Sequence, residues 1–203
     1  MATSPIYRSA TLYELAMAAL YGRHYASRYR EMAELIPPES SVVDLCCGPA
    51  RIYRRCLKQK SVDYTGLDIS PRFIARLRRM GAKGMVWDLR DERALPTADY
   101  LIMQASLYHF LPDANGILDR MLSAAGRQVI VSETVRNVAS SNSRIISLLA
   151  QLLTDPGVGK QVHRFTEATL DGLFERYSGQ VARILTIAGG REKVYVLNAR
   201  GEE

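Results

Sequence analysis

Apolar residues fall along this chain in two alternating patterns: short continuous runs that end on an acid, and stretches where they recur every three or four positions. The runs around Val42-Val43-Asp44, 62–68, Met85-Val86-Trp87, 100–103 and 128–132 predict five buried strands. Between them, Ile52, Tyr53, Cys56 and Leu57, then Phe73, Ile74, Leu77 and Met80, then Ile117, Leu118, Met121 and Leu122 each form the inner stripe of a helix. Gly48-Pro49 marks a turn with proline at the first helical position, Ser70-Pro71 a helix cap, and Gly81 a helix end. Strands that alternate with helices imply a parallel sheet with right-handed crossovers. Farther on, strands over 181–187 and 193–197 are joined by Ala188-Gly189-Gly190-Arg191-Glu192, too short for a crossover, so they form a hairpin and one strand runs antiparallel. The expected class is α/β: a three-layer α/β/α sandwich on a seven-stranded, mostly parallel sheet whose last strand is antiparallel, with additional N-terminal helices.

Two regions stand outside that repeat. Thr11-Leu12-Tyr13-Glu14 fits a capping box, and Leu12, Leu15, Ala16, Ala19 and Leu20 share a face, predicting a first helix. A second spans 24–35, stops before Pro37-Pro38, and spaces Tyr21, Tyr25 and Tyr29 four apart. Residues 1–40 are therefore expected to form a helical cap on a core of 41–199. That core is interrupted at about 134–163 by an insertion whose helix, over 141–153, carries Ile145, Ile146, Leu148, Leu149, Leu152 and Leu153. This exceeds the needs of one core-facing stripe. The surplus fits an apolar acceptor pocket, a membrane-surface contact, a homodimer contact or burial beneath the N-terminal helices.

Composition narrows the class. With 203 residues, 47% hydrophobic and 24% charged, the chain reads as one globular domain with an appendage. It has no run of about 18 apolar residues to cross a bilayer, and its first residues lack the apolar core of a signal peptide. The three cysteines, Cys46, Cys47 and Cys56, give neither a disulfide framework nor metal-ligand spacing, so no metal is expected and a reducing cytoplasm fits. The net charge of +6 is mostly arginine. It is scattered along helices, which weighs against a nucleic-acid partner.

Candidate chemistry lies at the strand ends. Asp44, Asp68 and Asp88 each close a predicted strand, and Asp68 lies about 20 residues beyond the Gly48 loop, the distance at which an acid reaches a nucleotide ribose in such folds. The stretch Val42-Val43-Asp44-Leu45-Cys46-Cys47-Gly48-Pro49-Ala50 resembles the first motif of the class I S-adenosylmethionine-dependent methyltransferases, although Cys46 and Ala50 stand where that family usually has glycines. The resemblance implies that Asp44, Cys46, Cys47 and Gly48 hold the methionine end of S-adenosylmethionine. Asp68 would then take the ribose with Ile69 beside it, and Asp88 and the Leu89 backbone the adenine. Gln104 and Tyr25 complete the expected cofactor set.

Methyl transfer is an in-line displacement that needs alignment and exclusion of water, with a base only where the acceptor must lose a proton. The expected groups are Tyr108 and His109 in the loop after the fourth strand, which faces the transferred methyl in that family, with Glu133 ending the fifth strand and His163 further on. Gln104-Ala105-Ser106-Leu107 contains neither Asn-Pro-Pro-Tyr nor a Pro-Cys pair, the marks of enzymes that methylate base amines or pyrimidine carbon. The acceptor expected is a small, partly apolar molecule methylated at oxygen or nitrogen. Rival readings are a non-catalytic binder of S-adenosylmethionine or S-adenosylhomocysteine and a nucleic-acid methyltransferase; a nicotinamide oxidoreductase would need the glycine fingerprint that Cys46 and Ala50 break.

Overall fold

The computed structural model describes residues 22–135 and 164–199, so the expected helices at 11–20 and 141–153, and His163, lie outside the described residues. Helix α1 (His24–Glu34) precedes strand β1 (Ser41–Leu45). There follow β2 (Asp63–Asp68), α2 (Pro71–Arg79), β3 (Lys83–Val86), β4 (Ala98–Gln104), α3 (Ala114–Ala124), β5 (Ala125–Thr134), α4 (Glu167–Glu175), β6 (Val181–Ile187) and β7 (Glu192–Asn198). They make a seven-stranded sheet in the order β3-β2-β1-β4-β5-β7-β6. Strand β7 runs antiparallel to both neighbours, as the short hairpin connection required.

The continuous apolar runs have a direct cause. Along β1, β4 and β5 successive side chains go to opposite layers: Val42, Tyr100, Ile102 and Ile130 face α1 and α2, while Val43, Leu101, Met103, Val129 and Val131 face α3 and α4. A strand covered on both faces has no polar side to show. Helix starts match their caps: the Ser70 hydroxyl accepts from the Phe73 N–H at 3.4 Å with Pro71 at the first position, and Asp113 accepts from Gly116 at 3.2 Å.

Two elements differ from expectation. The helix after β1 continues as a π-helical turn, Tyr53–Leu57, and a 3-10 turn, Lys58–Lys60; the wider turn sets Tyr53 against Tyr64 with ring centroids 4.6 Å apart. Strand β3 begins and ends earlier than the run at 85–87, because Gly84 packs under Ile74 and Leu77 of α2 and Trp87 leaves the sheet to lie beneath the Arg93 guanidinium, 3.6 Å from its ring centroid.

Candidate active site

Strand order reverses between β1 and β4, where the loops after adjacent strands diverge and leave a crevice at the carboxyl edge. An open cleft of about 550 Å³ lies there. Its wall comes from Asp44 and the loop through Pro49, from Gln104, Ala105 and Ser106 after β4, and from Arg28 and Tyr29 of α1.

The loop after β1 adopts the backbone its sequence does not advertise. Cys46 has φ +57°, Gly48 φ +53° and Ala50 φ +50°. Cys46 and Ala50 thus occupy, as non-glycines, the left-handed conformation that glycine usually supplies, at a cost of roughly 1 kcal/mol each. The Gly48 N–H donates to the Asp68 carboxylate at 2.8 Å, and Ser70 N–H donates to its other oxygen at 2.8 Å. One acid at the end of β2 therefore ties the β1 loop to the start of α2. Burial holds the Asp68 carboxyl above its usual range, with the two N–H donors pulling it back.

Asp44 is buried and accepts from the Tyr64 hydroxyl. Burial pushes its carboxyl up to about 7, the Tyr64 hydrogen bond opposing and the nearby Asp68 adding to the rise. Cys46 and Cys47 line the cleft, but burial raises both thiols well above the ordinary range, so neither is a nucleophile at neutral pH. Ile69 is 60% exposed, an apolar side chain facing open space beside Asp68. Asp88 accepts from the Arg90 N–H at 3.0 Å, and Leu89 is buried with its carbonyl accepting from Arg120 at 2.7 Å.

Gln104 ends β4 on the cleft wall, its amide donating to the Arg28 carbonyl and to Glu192, both at 3.4 Å. Tyr25 does not line the cleft; it packs in the core, edge-on to Tyr29 and under the Arg51 guanidinium at 4.5 Å. Tyr29, one turn on, lines the cleft in its place.

Tyr108 and His109 occupy a 3-10 turn, Leu107–Phe110, that directly continues the cleft-lining residues. Their rings lie 4.0 Å apart. Burial, then Arg164 and Arg90, lower His109 to about 4, so its imidazole is neutral at pH 7. Glu133 is buried and accepts from the Leu107 N–H at 2.5 Å; burial raises it to about 7. Its carboxyl shapes the turn that carries His109.

Sequence reasoning missed Arg28 and Glu192, a buried ion pair at 2.7 Å with side chains 3% and 0% exposed. Glu192 also accepts from the Ser132 hydroxyl at 2.8 Å. Arg28 had a usable signal, a charge on the face of α1 that buries Tyr25, Tyr29 and Met32. Glu192 had none, since it reads as part of a turn. Among the described residues no cluster of side chains is arranged to hold a metal ion.

Residues 42–127 match a family described as a methyltransferase domain. No curated protein matches the chain. The fold is similar to magnesium protoporphyrin IX methyltransferase from Synechocystis PCC 6803 with bound SAH, at 16% identity and a TM-score of 0.63 over 86% of this chain and 83% of that one. It is also similar to a chain of the complex between the Haloferax volcanii Trm112 methyltransferase activator and a protein described as a methyltransferase, at 16% identity and a TM-score of 0.70 over 98% and 99%. An O-methyltransferase family 2 protein from Planctomyces limnophilus in complex with apigenin shares 12% identity at a TM-score of 0.63, covering 92% of this chain and 61% of that one.

Proposed function

We propose that this chain is a class I S-adenosylmethionine-dependent methyltransferase, as the methyltransferase-domain match over 42–127 and the shared fold support, and that it methylates an oxygen or nitrogen of a small, partly apolar acceptor, with the cofactor along the β1–β2 side of the cleft and the acceptor beside the turn after β4. The observation that carries this reading is the Asp68 carboxylate, joined to Gly48 at 2.8 Å and flanked by exposed Ile69. A carboxylate with unused lone pairs next to an apolar side chain suits a ribose and the adenine attached to it. Asp44 and the left-handed loop suit the charged amino-acid end.

Bound S-adenosylmethionine would supply an electrophilic methyl on a sulfonium. The protein's own groups then bind, orient and exclude water. Asp88 and the Leu89 backbone receive the adenine, Gln104 and Tyr29 line the approach to the reacting centre, and Glu133 holds the Leu107–Phe110 turn in place. His109 acts as an acceptor contact: an imidazole whose conjugate acid titrates at about 4 is a weak base near neutrality. Such a site favours acceptors that react as they arrive. The kept loop backbone at Cys46 and Ala50 argues against the non-catalytic reading that the missing glycines had raised.

Calorimetric titration with S-adenosylhomocysteine tests this. Binding with a dissociation constant below about 100 μM is expected, weakened at least about tenfold, or 1.4 kcal/mol, in Asp68→Ala. Absence of binding at about 1 mM, or binding that Asp68→Ala leaves intact, would overturn the assignment of the site.

A further inference from the structure

Three arginines, Arg28 on the cleft wall and Arg90 and Arg93 after β3, are matched to carboxylates, and Arg51 on the cleft wall lies over the Tyr25 and Tyr29 rings. Arg28 pairs with Glu192 at 2.7 Å, Arg90 with Asp88 at 3.7 Å and Arg93 with Asp91 at 3.6 Å. Arg164, immediately before α4, differs. It is half-buried, lies 4.5 Å over the Tyr108 ring and donates to the Tyr108 hydroxyl at 3.5 Å, and among the described residues no carboxylate pairs with it. Glu133 feels its charge but is directed at the Leu107 N–H.

Resting on the methyltransferase reading of the cleft, we infer that the acceptor carries an oxyanion, a carboxylate or a phosphate monoester, that docks on Arg164 beside Tyr108 and His109. A guanidinium removed from water without a counterion is costly, and an arriving anion relieves that cost. The planar fork of Arg164 matches the two oxygens of a carboxylate or phosphate. The surroundings agree in sign: His109 feels both Arg164 and Arg90, and Glu133, with its carboxyl near 7, supplies only part of a negative charge at neutral pH. Neutral His109, its ring centroid 4.0 Å from that of Tyr108 and tilted 37° to it, keeps an N–H to donate to the same anion. A cationic acceptor is repelled by the same groups. The turn bearing these residues continues the cleft wall, so an anion held there leaves the rest of the molecule lying toward the cleft.

The probes are benzoate and inorganic phosphate, with benzamide as the uncharged control, titrated into the full chain with S-adenosylhomocysteine present. His109 ring resonances, assigned with His109→Asn, provide the readout. At least one anion should raise the His109 pKa by about one unit, while benzamide leaves it unmoved. Whichever anion acts identifies the headgroup. In Arg164→Gln that anion response should vanish, with cofactor affinity held within about twofold. An unresponsive His109 with both anions, a benzamide effect equal to benzoate's, or an unchanged anion response in Arg164→Gln overturns the subsite. An anion response in a protein that binds no S-adenosylhomocysteine would support the subsite and sink the cofactor reading, so the two failures stay separate.

Discussion

Asp44 shows how one residue's surroundings move the titration of an acid into the neutral range. Its carboxyl, pushed up to about 7 by burial, is partly protonated at neutral pH in the free protein. A cationic ligand beside it favours the ionised form, so binding should expel a proton. Affinity for S-adenosylmethionine is therefore expected to rise between pH 6 and pH 8 and then level off. At pH 6.5, calorimetry in two buffers of different ionisation enthalpy should show release of about three-quarters of a proton, and Asp44→Asn should abolish it. A flat profile in the parent protein would place the cationic end of the cofactor elsewhere. The same loop carries Cys46 and Ala50 in left-handed backbone. The acid-turn pattern exposed the loop's location; its conformation, held by Gly48 and Asp68 across 20 residues, did not show in residue types.

At the scale of elements, α1 is the part of the site that hydrophobic spacing placed only loosely. Tyr25, Tyr29, Met32 and Ala33 bury one face of the helix, and Arg28 on that face reaches Glu192 at the start of β7. Glu31 adds a second link by accepting from the Ala188 N–H at 3.1 Å. Since Glu192 also receives Ser132 and Gln104, the pair joins α1, β4, β5 and β7 at the cleft wall. Removing one partner strands a buried charge. Arg28→Met alone should cost about 3–5 kcal/mol in chemical denaturation, and adding Glu192→Met should recover more than half of that loss. A double variant no more stable than Arg28→Met would mean that Glu192 matters through Ser132 and Gln104 instead.

For the whole molecule, the raised carboxyls set the pH dependence of stability. The folded state holds the Asp44 and Glu133 protons more tightly than the unfolded chain does, both near 7 against ordinary values of 3.8 and 4.5. Their contribution is complete below the ordinary values and is lost as pH rises toward 7. Asp99 and Asp171 are shifted down, chiefly by hydrogen bonds from Ser41 and Lys193, and their contributions fade only as pH falls through the ordinary aspartate range into more acid solution. His109, held at about 4 against an ordinary 6.5, opposes them, because the unfolded chain takes up that proton first as pH falls. The two carboxyls together outweigh it, so the cofactor-free protein should be more stable near pH 5 than near pH 8, by about 2 kcal/mol or more in urea denaturation. Glu133→Gln, which mimics the protonated side chain, should flatten part of that slope. Equal stability at both pH values would place these two carboxyls in contact with water.

What the sequence determined by itself was whatever depends on neighbours along the chain. Strands buried on both faces read as continuous apolar runs, the Ser70-Pro71 cap announced α2, and the short 188–192 connection forced the antiparallel β7. Those signals placed the hairpin and five strands, with β3 displaced so that Asp88 falls beyond its end. Tertiary structure decided what depends on distant partners. It put Tyr29 on the cleft and Tyr25 in the core, paired Arg28 with Glu192, and joined Glu133 to the Leu107 N–H of the turn that carries His109. A side chain's charge and hydrogen bonds are set by what folding brings within about 3 Å of it, and residues as far apart in the chain as Gln104 and Glu192 carry no mutual mark in their local patterns.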